Sequence, residues 1–473
     1  MNDSFFVLKS VADFAPGAFE NTAVEDGSIQ LGRSGGSFIL SGCYTSPGFH
    51  MGAFLSLTPS WNAVTPPGTA VEMQARVAAN GQWSRWFSFG KWSPFIDRAS
   101  LPAAQDEIAQ IQAEDLLVVE GHAPADTAQV RIFLYSDDAS VSPKVNLLAA
   151  SFRRLRPEKE EETTGEKMLE IPQYSCLVRD PSMGGRIMSA TALTMMMNRW
   201  GEDALPEEVA RSMYDSGSGR YGNIAFLTAI AGAYGYECYT AHVGCNYLRQ
   251  EVRRGHAVGV LLHYRAPALS EEGPGEVTRE YAMLPELEDA VADSQGHMAV
   301  LRGFVQKDGE DFVVLNDPLA RTNQEVLRKL PLKKFKDLYM GVALVLHRGP
   351  QGVAGAKPSR RVAQITVNEQ EEVFLSLKGE MLPPGYFAGE EMGGCTVCYT
   401  ISDGIAYASA AQKRFYYLAL DEKGFLKFDR TAAAEKRITF YLIGARGVTW
   451  VGEKFIEKPP APPEEPNEVE QTE

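Results

Sequence analysis

The stretch GHMAVLRGFVQKDGEDFVVLNDP, residues 296–318, constrains the fold of this chain more than any other. Two apolar runs flank Asp308-Gly309. Asp-Gly between such runs signals a tight hairpin, because both turn residues tolerate positive φ. The expected strands are 298–305 and 312–316. In a simple register centred on that turn, His297 lies opposite about residue 320. Asp317 is then within about three residues of the facing position, on the order of 10 Å of backbone. A carboxylate at that range can accept from the imidazole, fix its tautomer and favour its charged form. The residues alone favour a second reading: a buried strand histidine followed by an Asn316-Asp317-Pro318 turn.

Composition limits the partners. At 473 residues the chain should hold about three domains. Hydrophobic and charged fractions of 44% and 23% are those of a globular protein. A net charge of −15 argues against nucleic-acid or anionic-membrane partners. No run approaches the roughly 18 apolar residues of a membrane span. The start, MNDSFFVLKSVADF, has no basic segment followed by an apolar core. The default expectation is therefore cytoplasmic, with an extracellular location left open. Six cysteines are too sparse for a disulfide scaffold. Cys395 and Cys398 form a lone CTVC pair with no histidine after His347. A structural zinc site needs a second ligand pair, so these two read as strand residues, and neither a metal nor a cofactor is expected.

Two breaker-rich, charged stretches divide the chain: RPEKEEETTGEKM (156–168) and RGPQGVAGAKPSRR (348–361). Residues 1–155 read as an all-β, aromatic-rich sandwich, since Val71, Met73, Ala75 and Val77 alternate, as do Val130, Ile132 and Leu134. Trp61, Trp83, Trp86 and Trp92 fall close together there and read as sandwich core and rim, although such clusters also stack on sugars or peptides. Residues 363–456 read as a small antiparallel β domain, and 457–473 as a disordered acidic, Pro-rich tail.

Residues 169–349 carry helices first and strands afterwards, an α+β pattern. Leu193, Met196, Met197 and Trp200 recur at helical spacing, which predicts an amphipathic helix over 189–200 ending at Gly201. Further helices are expected from Pro206, from Asn223, and over NYLRQEVRRG with Asn246 as cap and Gly255 as stop. AVGVLLHY reads as a strand and 266–293 as an acidic surface insertion. Cys238 and Cys245, either side of His242, read as core or loop between two helices.

IPQYSCLVRD, GGRIMSATALTMMMNRWGEDALPEEVA, YGNIAFLTAIAGAYGY, LRQEVRRGHAVGVLLHY, GHMAVLRGF and VVLNDPLA follow one another from about Ile171 to His347. In order and spacing this segment resembles the bacteriocin-processing-type (double-glycine leader) cysteine peptidase-like family, a branch of the papain-like fold. PSWNAVTPPGT, WSRW and GKW resemble the sandwich that precedes this domain in some bacterial members. The resemblance implies a helix-borne cysteine nucleophile, a histidine sharing its proton, an orienting acid and an upstream glutamine donating to the oxyanion. It places His297 at the histidine and Asp317 at the acid. The Cys-Ser-Pro-Thr-Ser nucleophile pattern aligns with Met188-Ser189-Ala190-Thr191-Ala192, so Met188 stands at the cysteine position. The Ser-Gln pair aligns with Ser175-Cys176.

Three functions remain open on this basis. One is a peptidase-like pseudoenzyme that binds a peptide or protein partner. Another is an active hydrolase with Cys176 as a relocated nucleophile. A third is an adaptor binding glycan or peptide through its β domains.

Overall fold

A computed structural model describes residues 4–112, 114–156, 164–179, 184–202, 204–263, 296–320 and 323–349, followed by the strands of a C-terminal segment. The chain is mostly β and divides into two compact units, the first covering residues up to Ser359. The expected insertion at 266–293, Cys395 and the tail at 457–473 lie outside the described residues.

The N-terminal part is an antiparallel β structure closing nearly into a barrel. Its main strands are β1 (Ser41–Thr45), β2 (Phe49–Val64), β3 (Thr69–Ala79), β4 (Ala125–Ser136) and β5 (Lys144–Arg154). β4 pairs with β3 along its length, with β1 at one end and with the start of β2 at the other. The rest of β2 pairs with β5, so this long strand passes from one layer to the next. On β3 and β4, Val71, Met73, Ala75, Val77, Val130, Ile132 and Leu134 point inward and are buried, as their alternation predicts. Trp61 and Trp92 are fully buried, whereas Trp83 is exposed, which divides the tryptophans between core and rim. β2 departs from alternation: Ser56 to Val64 are all buried, because a helix and a strand from the second half of the unit cover its outer side.

That second half contains α1 (Met188–Asn198), α2 (Pro206–Met213), α3 (Ile224–Ala233), β6 (Tyr236–His242), α4 (Cys245–Arg254), β7 (Val258–Leu262), β8 (His297–Lys307), β9 (Glu310–Asn316), β10 (Leu327–Pro331) and β11 (Tyr339–Arg348). The sheet order is β6-β11-β7-β8-β9-β10, all antiparallel. α3 starts at Asn223, whose side chain accepts from the Ala225 and Phe226 amides, and α4 stops at Gly255 in the left-handed region.

Four expectations need correction. α1 is buried on every side from Ala190 to Met197 rather than amphipathic, because sheet and α2 enclose it. α4 is capped at Gly244, not Asn246. Residues 236–242, for which no element is expected, form an edge strand; Cys238 is buried within it, at a core position as read. Lys167 and Met168, read as solvated linker, pair with Phe304 and Gly303 of β8. Gly303 is required there, since a Cβ would overlap the Lys167 carbonyl and the Met168 sulfur.

The edge of β6 is closed by side chains. The Cys238, Thr240 and His242 amides point away from β11 and donate to Asn62 Oδ1 (2.8 Å), Ser60 Oγ (3.0 Å) and Ser151 Oγ (2.6 Å). These acceptors sit on β2 and β5. They supply what a neighbouring strand would, so the edge cannot recruit a foreign one. Arg98 adds a second tie: its guanidinium donates to the Arg211 carbonyl at 2.7 Å, and Ser216 N–H donates to its carbonyl at 2.7 Å.

The second unit comprises Arg360–Glu380, Glu391–Ala445 and Thr449–Glu473. Strands Thr396–Ser402, Phe415–Ala419, Arg437–Ile443 and Thr449–Phe455 form an antiparallel sheet, with Arg361–Val362 added in parallel. Gln364–Val367, Glu372–Ser376 and Phe425–Lys427 form a second, smaller sheet.

Candidate active site

The hairpin β8–β9 turns at Asp308 and Gly309, with φ of 53° and 84°, as the Asp-Gly signal demands. Its register is not simple. Lys307 pairs with Glu310 and Gly303 with Val314, but Leu301 pairs with Leu315 and Val300 with Asn316. Arg302 is the extra residue of a β-bulge. Extending the register beyond the bulge puts His297 opposite 319 rather than about 320. Asp317 then lies an even number of residues from the facing position, on the same side of the ladder. The two side chains meet: His297 Nε2 is 2.9 Å from Asp317 Oδ1.

Both groups are buried. Burial opposes ionisation of Asp317, but the charge and contact of His297, with the Leu319 amide 2.9 Å from Oδ1, hold its carboxyl below the usual range. The Asp317 backbone amide donates to the Val326 carbonyl at 2.8 Å, which fixes the residue past the strand end. With Nε2 engaged by the carboxylate, Nδ1 is the nitrogen through which proton exchange with a neighbour would run.

The loop 171–179 is laced to the stretch that follows β9. Cys176 N–H donates to the Pro318 carbonyl at 2.7 Å, and Ser175 Oγ to the Ala320 carbonyl. Asn316, fully buried, donates to the Pro172 carbonyl at 2.9 Å. Arg179 and Glu207 form a two-pronged buried ion pair at 3.0 and 2.8 Å, pinning the loop to α2. Cys176 is thereby held beside Asp317 with no exposure. Burial pushes its thiol well up, and the Asp317 charge adds to the rise. A nucleophilic cysteine needs the opposite environment.

Met188 is the first residue of α1, after a 3-10 turn over Gly184–Ile187, and α1 packs against β8. A helix N-terminus beside an imidazole favours a thiolate. A thioether placed there has no ionisable proton. Cys176, His297 and Asp317 are thus drawn together, and Met188 begins the helix lying on the His297 strand. The tying residues Asn316, Arg179 and Glu207 carry no sequence pattern that singles them out.

Residues 169–343 match the peptidase C39-like family, and residues 5–152 match the peptidase C39 N-terminal domain. This chain belongs to the peptidase C39-like family. No curated protein matches it in sequence. Among solved structures, the C39-like chain is similar to the peptidase domain of Streptococcus ComA, a bifunctional ABC transporter involved in quorum sensing, at 13% identity, covering 38% of this chain and 100% of that one, with a TM-score of 0.25. It is also similar to a galectin-like protein of unknown function from Bacillus subtilis, at 13% identity, covering 32% of this chain and 96% of that one, with a TM-score of 0.19. No helix among the described residues is long and apolar enough to cross a membrane.

Proposed function

We propose that the C39-like domain is a peptidase-derived binding module without hydrolytic activity, taking a peptide or protein partner in a papain-like groove beside His297 and Asp317. The observation carrying this reading is the absence of a competent thiolate: position 188 is a thioether, and the nearby Cys176 thiol is buried with its ionisation opposed. An acyl-enzyme needs a nucleophile that can lose its proton. The competing reading, a hydrolase using Cys176, requires that thiol to be exposed and acidic. Iodoacetamide labelling of the native protein at neutral pH, with adducts mapped by mass spectrometry, separates the two. Cys176 should stay unlabelled until the protein is unfolded. Fast labelling of Cys176 that disappears in His297→Ala would overturn the proposal.

A second reading rests on the outer face of β3 and β4. Arg76 stacks on Trp83 and Trp86 at 4.5 and 4.6 Å, and Arg131 on Trp86 and Phe133 at 4.3 and 5.0 Å. Cross-strand partners hold both guanidiniums: Arg76 donates to Gln129, and Arg131 to Gln74. Flat rings alternating with fixed planar donors suit a saccharide, whose C–H faces stack while its hydroxyls accept. We infer that this face binds glycan. A glycan array probed with the intact protein should give a signal that Trp86→Ala removes, and a signal unchanged in Trp86→Ala would exclude this face.

A further inference from the structure

Away from the hairpin site, Glu251, His256 and His347 converge. Glu251 lies in the last turn of α4, and His256 follows the left-handed Gly255 that ends the helix. That turn brings His256 N–H to the Glu251 carbonyl at 2.9 Å and folds the imidazole back toward the Glu251 side chain. His347 comes from about ninety residues further along the sequence, near the close of β11. Glu251 Oε2 lies 2.8 Å from His256 Nδ1 and 2.7 Å from His347 Nε2. The three atoms fall within 4.8 Å of one another, and the imidazole centroids are 4.2 Å apart.

The geometry points to a divalent-metal site of the zinc class, with Glu251 Oε2, His256 Nδ1 and His347 Nε2 as its three protein ligands. Two imidazoles and a carboxylate are a donor set that zinc accepts, leaving a fourth position for water. Arg254 donates to Glu251 Oε1 at 2.9 Å, so the carboxylate is oriented with Oε2 toward the imidazoles. The carboxylate is 1% exposed, while the His256 and His347 side chains are 25% and 22% exposed, which gives a buried anion with an open entry side. Tyr239 packs edge-on against His347, and Trp200 lies beside His256, supplying an apolar wall. Metal binding replaces the protons by which the imidazoles hold Oε2, so the same three side chains serve the filled and the empty site. The ion would fasten the end of α4 to the last strand of the C39-like domain. The sequence expectation of no metal rests on the lone CTVC pair; Glu-x4-His with a histidine far downstream forms no recognisable spacing.

The test is titration of the chelator-treated full-length protein with zinc and, separately, with cobalt(II). One equivalent of zinc should bind, the melting temperature should rise, and His256→Ala or His347→Ala should weaken binding at least tenfold, the scale that even outer-shell losses produce. Circular dichroism shows whether each variant is folded. The cobalt(II) complex of the unaltered protein needs no variant: nitrogen and oxygen ligands give visible bands without thiolate charge transfer in the near ultraviolet. No stoichiometric binding overturns the site. So does a strong thiolate band, which places the ion on cysteines, or zinc affinity unchanged in folded His256→Ala and His347→Ala.

Discussion

Asn62 and Cys238 exchange two hydrogen bonds: Asn62 Nδ2 donates to the Cys238 carbonyl at 2.8 Å, and Asn62 Oδ1 accepts the Cys238 amide at 2.8 Å. A side-chain amide here reproduces both halves of a strand pairing. Nδ2 also donates to the Thr228 carbonyl at 3.0 Å, and a Cβ on Gly232 would run into Asn62. Removing the side chain leaves two buried backbone groups of Cys238 without partners. Asn62→Ala should therefore cost about 2–6 kcal/mol, at 1–3 kcal/mol for each buried group left unsatisfied. Urea unfolding checks this, and a cost within experimental error of zero would show that water or backbone movement replaces the amide.

Met188→Cys restores a thiol at the start of α1, the helix that packs on the His297 strand. Its reaction with iodoacetamide at pH 7 should be faster than that of an ordinary free thiol. Adding His297→Ala should slow it by roughly tenfold or more, as expected when an imidazolium partner is lost. Equal rates with and without His297 would mean that position 188 does not face the pair.

The Arg179–Glu207 pair is fully buried. Glu207→Ala removes one member of a buried ion pair, and breaking a buried pair in this way costs about 3–5 kcal/mol. The loop bearing Cys176 should loosen first. Hydrogen exchange at 174–179 should rise more than exchange in β3, and equal changes in both would contradict that order.

His242 carries a pH dependence. Its amide donates to Ser151 Oγ, and that hydroxyl lies 2.7 Å from His242 Nδ1. A hydroxyl already accepting the amide can give its proton to Nδ1 only if that nitrogen is unprotonated. Burial, with the Arg153 charge, pushes the imidazole from 6.5 down to about 4. The unfolded chain takes up the proton first, so stability is intact above about pH 6.5 and falls as pH drops toward 4. The loss should be on the order of 2–3 kcal/mol. Comparing the urea midpoints of His242→Gln and the unaltered protein between pH 7 and 4 isolates it, and parallel curves would rule it out.

How much of this was legible depended on where the information sits. The hairpin turn lies in two adjacent residues, Asp308 and Gly309, and was read directly. The bulge at Arg302 was not, because an unpaired residue has no type of its own; it lies where the partner of β8 changes from β7 to Lys167 and Met168. β6 went unread because its edge is completed by Ser60, Asn62 and Ser151, far away in sequence. α1 was read as amphipathic because its chemistry does vary around the helix, but tertiary contacts on all sides decide its burial. Glu251 and His256 are neighbours on one helix end, but His347 belongs to a distant strand that only the fold brings to them.

The Arg302 bulge changes what should be compared between relatives. Whether His297 and Asp317 meet depends on the parity of the number of residues separating them through the turn. A relative that keeps both residues but loses one position from the hairpin would present them on opposite faces. Residue count across this hairpin is therefore a mark of an intact pair to be read together with the identities of the two side chains.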